Sequence, residues 1–277
     1  MSLQDRIGVD VGRKLKLEDA IEWAARNAVR HIDIQLDTGA NAVTLFDEAR
    51  CRAIRRSAKA NGVQVALHTL SAVNVAEYSP FLSDAVDAYL RAYIEVAPRL
   101  EAEWIVVHAG YHFTADVPMR MEAGRDRLQR MVTHAEQHGA LLLLENLNRE
   151  PENAEVHYLA HTMEEWRYYF DAIHSPAFAL SFTANHAHLL PPGVDGFVAE
   201  IPLDRVKEVR LADCWRNGYE EHLVPGKGDF DFGAMFALLE RKGYRGAYTN
   251  AFGTLEDMQD ARAYMVDKAR AAGVAVG

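Results

Sequence analysis

The chain has 277 residues, 49% of them apolar and 25% charged, an ordinary globular mix that excludes collagen-like, coiled-coil and disordered chains. Forty acidic against thirty basic side chains give a formal charge of −10, which opposes a phosphate backbone and argues against generic DNA or RNA binding. The two cysteines, Cys51 and Cys214, lie far apart in unlike contexts, so neither a disulfide framework nor a cysteine-rich zinc module is expected. No apolar run approaches the roughly 20 residues of a membrane span, and residues 1–6 hold no signal-like apolar core. A cytoplasmic protein without membrane contact is expected.

Short apolar segments alternate with longer amphipathic ones along the chain, the rhythm of βα units around a parallel sheet. Taken in order, strands are expected at 6–11, 30–36, 63–69, 104–109, 140–146, 178–183, 206–212 and 246–251. Helices are expected at 17–27, 46–60, 83–101, 118–137, 162–173, 232–242 and 255–272, with only a short, weak one near 196–201 after the sixth strand. Gly62, Gly139 and Gly243 fall just past three helices, where a left-handed residue closes the last turn. Ser83 reads as an N-cap, and Thr162 with Glu165 has capping-box spacing. Eight such units, without a Gly/Ser/Pro-rich linker, P-loop or G-x-G-x-x-G fingerprint, predict one closed (β/α)8 barrel occupying 1–277 as a single domain.

In a barrel of this kind the chemistry collects where strands end, so polar residues there carry the information. The third strand ends at His68, the fourth at His108 and the fifth at Glu145, followed by Asn146 and Asn148. The sixth runs into Thr183, Asn185, His186 and His188; the seventh carries Arg210 and Asp213, its loop holds Glu220, Glu221 and His222, and the eighth ends at Asn250. A histidine alone at a strand end is an ordinary hydrogen-bonded structural residue. Several imidazoles converging with carboxylates match instead what a divalent ion or an acid–base site needs. Trp215, just past the seventh strand, is a candidate floor for a sugar ring, while His112, His134, His138, His157, His161 and His174 are assigned to surface or packing.

These strand ends, together with the segment from His222 through Pro225-Gly226-Lys227-Gly228 to Phe232, resemble the xylose isomerase-like TIM-barrel superfamily over nearly the whole chain. That superfamily contains sugar isomerases and epimerases and also apurinic-site endonucleases. The resemblance implies one divalent ion held by a Glu after strand five, an Asp after strand six, a His on strand seven and a Glu after strand eight. Glu145 matches, but Thr183, Arg210 and Asn250 stand at the other three positions. A hydroxyl, a guanidinium and an amide cannot replace them around a dication, so the usual isomerase metal site is expected to be absent or weak. The endonuclease members imply two further ligand sets, which survive here as His68, His108 and Glu145, and as His186, Glu220 and His222.

The function expected is proton transfer on a small polar carbonyl compound, a sugar, sugar acid or cyclitol, by isomerisation, epimerisation or a related dehydration. Glu145 is the expected base, and His68 and His108 orienting or acid groups. Arg210, Asn250, Asn146, Asn185, Thr183 and Trp215 are the substrate-binding candidates, with Arg210 standing in for the missing cation. Zinc, manganese, cobalt or magnesium is the cofactor candidate. The alternatives are a catalytically retired sugar-binding barrel and, further off, a metal-dependent phosphodiesterase of the apurinic-site kind. A homo-oligomer is an expectation from the resemblance alone.

Overall fold

Eight parallel strands close on themselves in chain order: β1 (Ile7–Gly12), β2 (His31–Ile34), β3 (Gln64–His68), β4 (Ile105–Val107), β5 (Leu142–Glu145), β6 (Phe178–Thr183), β7 (Val206–Leu211) and β8 (Ala247–Asn250), with β8 paired back to β1. This computed structural model describes every residue but Asn217. The strands are the eight expected ones, six of them one to three residues shorter, because ladder hydrogen bonding stops where the chain turns into the loops that hold the functional side chains. Among the described residues, no helix is long and apolar enough to cross a membrane.

An outer ring of helices covers the barrel: Leu17–Arg26, Glu48–Asn61, Pro80–Leu100, Val117–His138, Met163–Phe170, Gly193–Glu200, Phe232–Arg241 and Leu255–Ala271. Gly62 and Gly139 close two of them with positive φ, as their positions suggested. Ser83 is a correction: the helix starts at Pro80, and the Ser83 hydroxyl accepts a 2.7 Å hydrogen bond from Arg127 instead of capping. Thr162 does cap Glu165 N–H, but the Glu165 carboxylate takes the His161 N–H, so the reciprocal half of the box is displaced by one residue. Several small elements among the described residues went unforeseen, including helices Leu3–Arg6 and Ala184–His188 and an antiparallel pairing of Tyr111–His112 with His157–Tyr158.

The barrel interior divides into two halves. From β3 to β6 it is filled by Ala66, Val106, Leu143 and Ala179, with Trp104 beneath them, an apolar packing of the ordinary kind. The other half holds buried charge: Asp33 on β2 and Glu208 and Arg210 on β7, with His31 at the base. Gly8 makes room for that base, since a Cβ there would lie 2.5 Å from the His31 carbonyl oxygen and 2.7 Å from its ring. Arg210 donates to Asp33 and, at 3.3 Å, to Glu208, which also accepts from Ser181 at 2.8 Å and Thr249 at 2.5 Å. Burial pushes the Asp33 carboxyl up, but His31 and Arg210 outweigh it and hold Asp33 below the usual carboxylate range.

Burial and the neighbouring Asp33 charge push the Glu208 carboxyl up to about 7. The folded chain therefore keeps a proton that the unfolded chain releases near 4.5, and stability falls as pH rises through that window. Urea unfolding from pH 5 to pH 7.5 should show wild type losing more stability than Glu208→Gln. Equal pH slopes for the two proteins would overturn this placement of the proton.

Candidate active site

Glu145 ends β5 at the floor of the mouth, buried, with both oxygens engaged. Its Oε1 accepts the Thr183 hydroxyl and lies 3.8 Å from Arg210 Nε; its Oε2 lies 3.4 Å from His68 Nε2 and 3.3 Å from His108 Nε2. Burial alone would raise the Glu145 carboxyl, but the two imidazoles and Arg210 hold it well below the ordinary value, so it stays ionised. His68 is pushed down by burial and Arg210, yet Glu145 and Asp10 prevail and its balance is upward. His108 goes down, its burial outweighing Glu145. One carboxylate thus faces two imidazoles whose pKa values move in opposite directions.

The rim is assembled by side chains that tie strand ends together. Asn146 donates to Thr183 O at 3.1 Å and accepts from Thr183 N at 2.7 Å, locking β5 to β6. Asn185 accepts from Ala212 N and donates to Glu220 at 2.7 Å, carrying the loop after β7 back over β6. That loop is folded on Asp213, whose carboxylate takes the N–H groups of Cys214, Gly226 and Phe230. Gly228 is needed there, because a Cβ would sit 2.4 Å from Asp213 Oδ1. The result places His186, Glu220 and His222 together, with His186 Nε2 3.4 Å from Glu220 Oε2.

Both clusters fit a divalent ion on their own chemistry. His68 Nδ1 lies 2.8 Å from Thr69 O and His186 Nδ1 2.8 Å from Asn146 O; a carbonyl only accepts, so in the neutral ring each Nδ1 carries the proton. Each Nε2 then turns a lone pair towards a carboxylate oxygen, and the buried His186 Nε2 has no hydrogen-bond partner. Separations of 3.3–3.4 Å exceed the 2.7–2.9 Å of a charged N–H···O bond. They match the spacing of two ligands each about 2.1 Å from a tetrahedral ion. A backbone carbonyl on the other ring nitrogen is also what orients a ligating histidine. His108 lacks this, its Nδ1 being buried without a partner.

Together these residues line a cup of about 250 Å³. His68, His108, Glu145, Thr183, Asn185, His186, Arg210, Glu220 and His222, all expected from the sequence, meet in it. Three expected residues do not line it. Asn146 is spent on the strand ends, Asn250 donates to Met258 O at 2.9 Å, and Trp215 lies half-exposed outside. The cup also contains residues that sequence reasoning missed, notably Asp10 on β1, Tyr158 from the small ribbon, and Phe252, whose ring centre lies 3.7 Å from that of His222 at a tilt of 38°. Asp10 had a signal, an acid flanked by valines inside an apolar strand; Tyr158 and Phe252 had none.

The family described as xylose isomerase-like TIM barrel matches residues 21–268. No curated protein sequence matches the chain significantly. Among solved structures, a D-tagatose 3-epimerase-like protein superimposes with a TM-score of 0.81 at 21% identity, covering 97% of this chain and 98% of that one. D-psicose 3-epimerase from Clostridium cellulolyticum H10, crystallised with D-tagatose, gives 0.79 at 14% identity over 97% and 99%. The 3-keto-D-glucoside 4-epimerase of E. coli gives 0.72 at 14% over 94% and 98%.

Arg210 is buried among Asp10, Asp33, Glu208 and Glu145, so removing its charge leaves carboxylates unpaired. Arg210→Met should lower the unfolding free energy at pH 7 by about 3–5 kcal/mol, with a smaller loss at pH 5, where acids can take up protons. Urea denaturation measures it, and a loss below about 1 kcal/mol at pH 7 would contradict the charge network.

Proposed function

The chain belongs to the xylose isomerase-like TIM-barrel family, and from that premise we propose that it is a sugar epimerase or isomerase moving a proton beside the carbonyl of a monosaccharide-sized substrate. The observation that carries this reading is a small polar cup with one carboxylate, Glu145, at its floor within reach of two imidazoles, a hydroxyl and a guanidinium. At about 250 Å³ it lies at the small end of ligand pockets, the size for one sugar unit. Asn185, the histidines and Thr183 offer hydrogen bonds to hydroxyls, and Phe252 and Tyr158 offer apolar faces. The epimerase names of the structural neighbours support the same substrate class.

A carboxylate held ionised is always ready to accept a proton but is a weak base, so the carbon acid must itself be made more acidic. Arg210 places a fixed positive charge beside the spot where an enediolate oxygen would develop, which lowers the barrier electrostatically. His108, neutral and buried, can orient or donate to that oxygen. A zinc, manganese, cobalt or magnesium ion held by His68, His108 and Glu145, or by His186, Glu220 and His222, would supply Lewis-acid polarisation of a substrate oxygen. The usual four-ligand isomerase site, with Thr183, Arg210 and Asn250 at three of its positions, is not part of this reading.

One observation favours the second reading, a retired barrel that only binds sugar: Asn250, standing where a second glutamate is expected, turns its amide away to Met258. An apurinic-site endonuclease fits poorly, because the cup is narrow, its only Arg is neutralised, and three carboxylates, Asp10, Glu150 and Glu220, line it besides Glu145.

D-psicose, D-tagatose, D-fructose and 3-keto-D-glucosides should be incubated with the protein, with and without each divalent ion, and new epimers followed by NMR. Turnover is expected on at least one, and Glu145→Gln should reduce kcat by about 100-fold or more. Thermal stabilisation by a sugar without turnover under any ion would favour the retired barrel. Separately, chelator-treated protein titrated with Co²⁺ should take up two ions per chain. Glu145→Gln and Glu220→Gln should each remove one, and no uptake would overturn the metal assignment.

A further inference from the structure

Asp10 faces Glu145 from the opposite side of the cup. In the closed order of eight strands, β1 lies four strands from β5 in either direction, so side chains at their ends stand on facing walls. Both carboxyls line the same cavity. Arg210 spans the floor between them, Nη2 donating to Asp10 Oδ2 and Nε lying 3.8 Å from Glu145 Oε1. Asp10 Oδ1 is buried without any hydrogen-bond partner, a cost in the free protein that a proton or a bound hydroxyl would remove. Its neighbour Val9 pairs with Asn250 on β8, so Asp10 stands one residue along the adjacent strand from the amide that cannot act as a base.

Inverting a carbon through an enediolate requires a proton to leave from one face and return on the other. We infer that Asp10 is the second proton-transfer group of this site, a catalytic carboxyl supplied by β1. This rests on the epimerase reading proposed above. In one direction the Glu145 carboxylate takes the proton from the carbon beside the carbonyl; the C–H pair forms the C=C bond, and the carbonyl π pair moves onto oxygen. Asp10, having taken up a proton from water at its unpartnered Oδ1, gives that proton to the same carbon from the opposite face while the oxygen pair re-forms the carbonyl. The products are the epimer, a protonated Glu145 and an ionised Asp10, and the reverse reaction or exchange with water resets both.

The test is run in D₂O with D-tagatose and D-fructose, scoring by NMR both new epimer and deuterium in the recovered starting sugar. Wild type should yield deuterated epimer. In Asp10→Asn, epimer formation should fall about 100-fold while deuterium still enters the starting sugar within about tenfold of the wild-type rate, because Glu145 keeps exchanging on its own face. Asp10→Glu should restore part of the epimerisation. If Asp10 only holds Arg210, exchange and epimerisation fall together, which overturns the inference, as does an Asp10→Asn rate of epimerisation within about threefold of wild type. Wild type that gives neither epimer nor deuterium removes the epimerase reading itself and Asp10's role with it, a result seen before any substitution is made. Thermal melting of each variant guards against loss of fold.

Discussion

A guanidinium buried inside a closed barrel must be neutralised where it stands, because little water reaches it and its charge cannot be titrated away. Arg210 meets that constraint with carboxylates from four strands: Asp10 on β1, Asp33 on β2, Glu145 on β5 and Glu208 on its own strand β7. Four acids against one guanidinium leave an excess of negative charge, and the interior sheds it at identifiable places. The Glu208 carboxyl is pushed up to about 7, so it holds a proton into the neutral range, and the His68 imidazole is pushed up as well. The polar half of the barrel is thus one electrostatic unit reaching from the base at His31 to the mouth at Glu145.

That unit sets what the mouth can do. Glu145 is held ionised by its surroundings, and Arg210, pinned from below by Asp33 and Glu208, cannot swing out to follow a substrate. A fixed positive charge stabilises a developing anion without reorganising during the reaction, which is the condition for electrostatic catalysis. The opposite wall carries Asp10 on the same guanidinium. The site therefore has a rigid charged floor and mobile chemistry confined to hydroxyls, imidazoles and protons above it.

The alternation of short apolar and long amphipathic segments made the eight strands and the helical ring legible, and the polar residues at strand ends made most of the cup legible. His68, His108, Glu145, His186 and His222 could be placed because each follows an apolar run that fixes its height in the barrel. Strand ends do not reveal which side chains will be spent on structure. Asn146, Asn185 and Asn250 look alike in sequence, yet only Asn185 lines the cup, while Asn146 ties β5 to β6 and Asn250 turns its amide to Met258. Asp10, Asp33 and Glu208 were overlooked because an acid within a strand reads as an interruption; its meaning depends on Arg210, whose partners are up to 200 residues away in sequence. Tyr158 enters the cup through a two-residue ribbon pairing too short to show any periodicity.

The unpaired atoms of the free protein bear on whether the cup is working or retired. Asp10 Oδ1 and His186 Nε2 are buried with no partner, and each such group costs about 1–3 kcal/mol compared with a satisfied one. Elsewhere in the same barrel the buried acids are amply satisfied, Glu208 by Ser181, Thr249 and Arg210. Bare donors also occur away from the mouth, at His31 Nδ1 and Trp104 Nε1, but the bare carboxylate oxygen of Asp10 stands beside a cavity that a ligand can enter. Three such atoms, Asp10 Oδ1, His108 Nδ1 and His186 Nε2, belong to side chains of one cup, where a bound molecule or ion can supply the missing partners, and the opposed carboxyls of Glu145 and Asp10 give that molecule a reason to react once there.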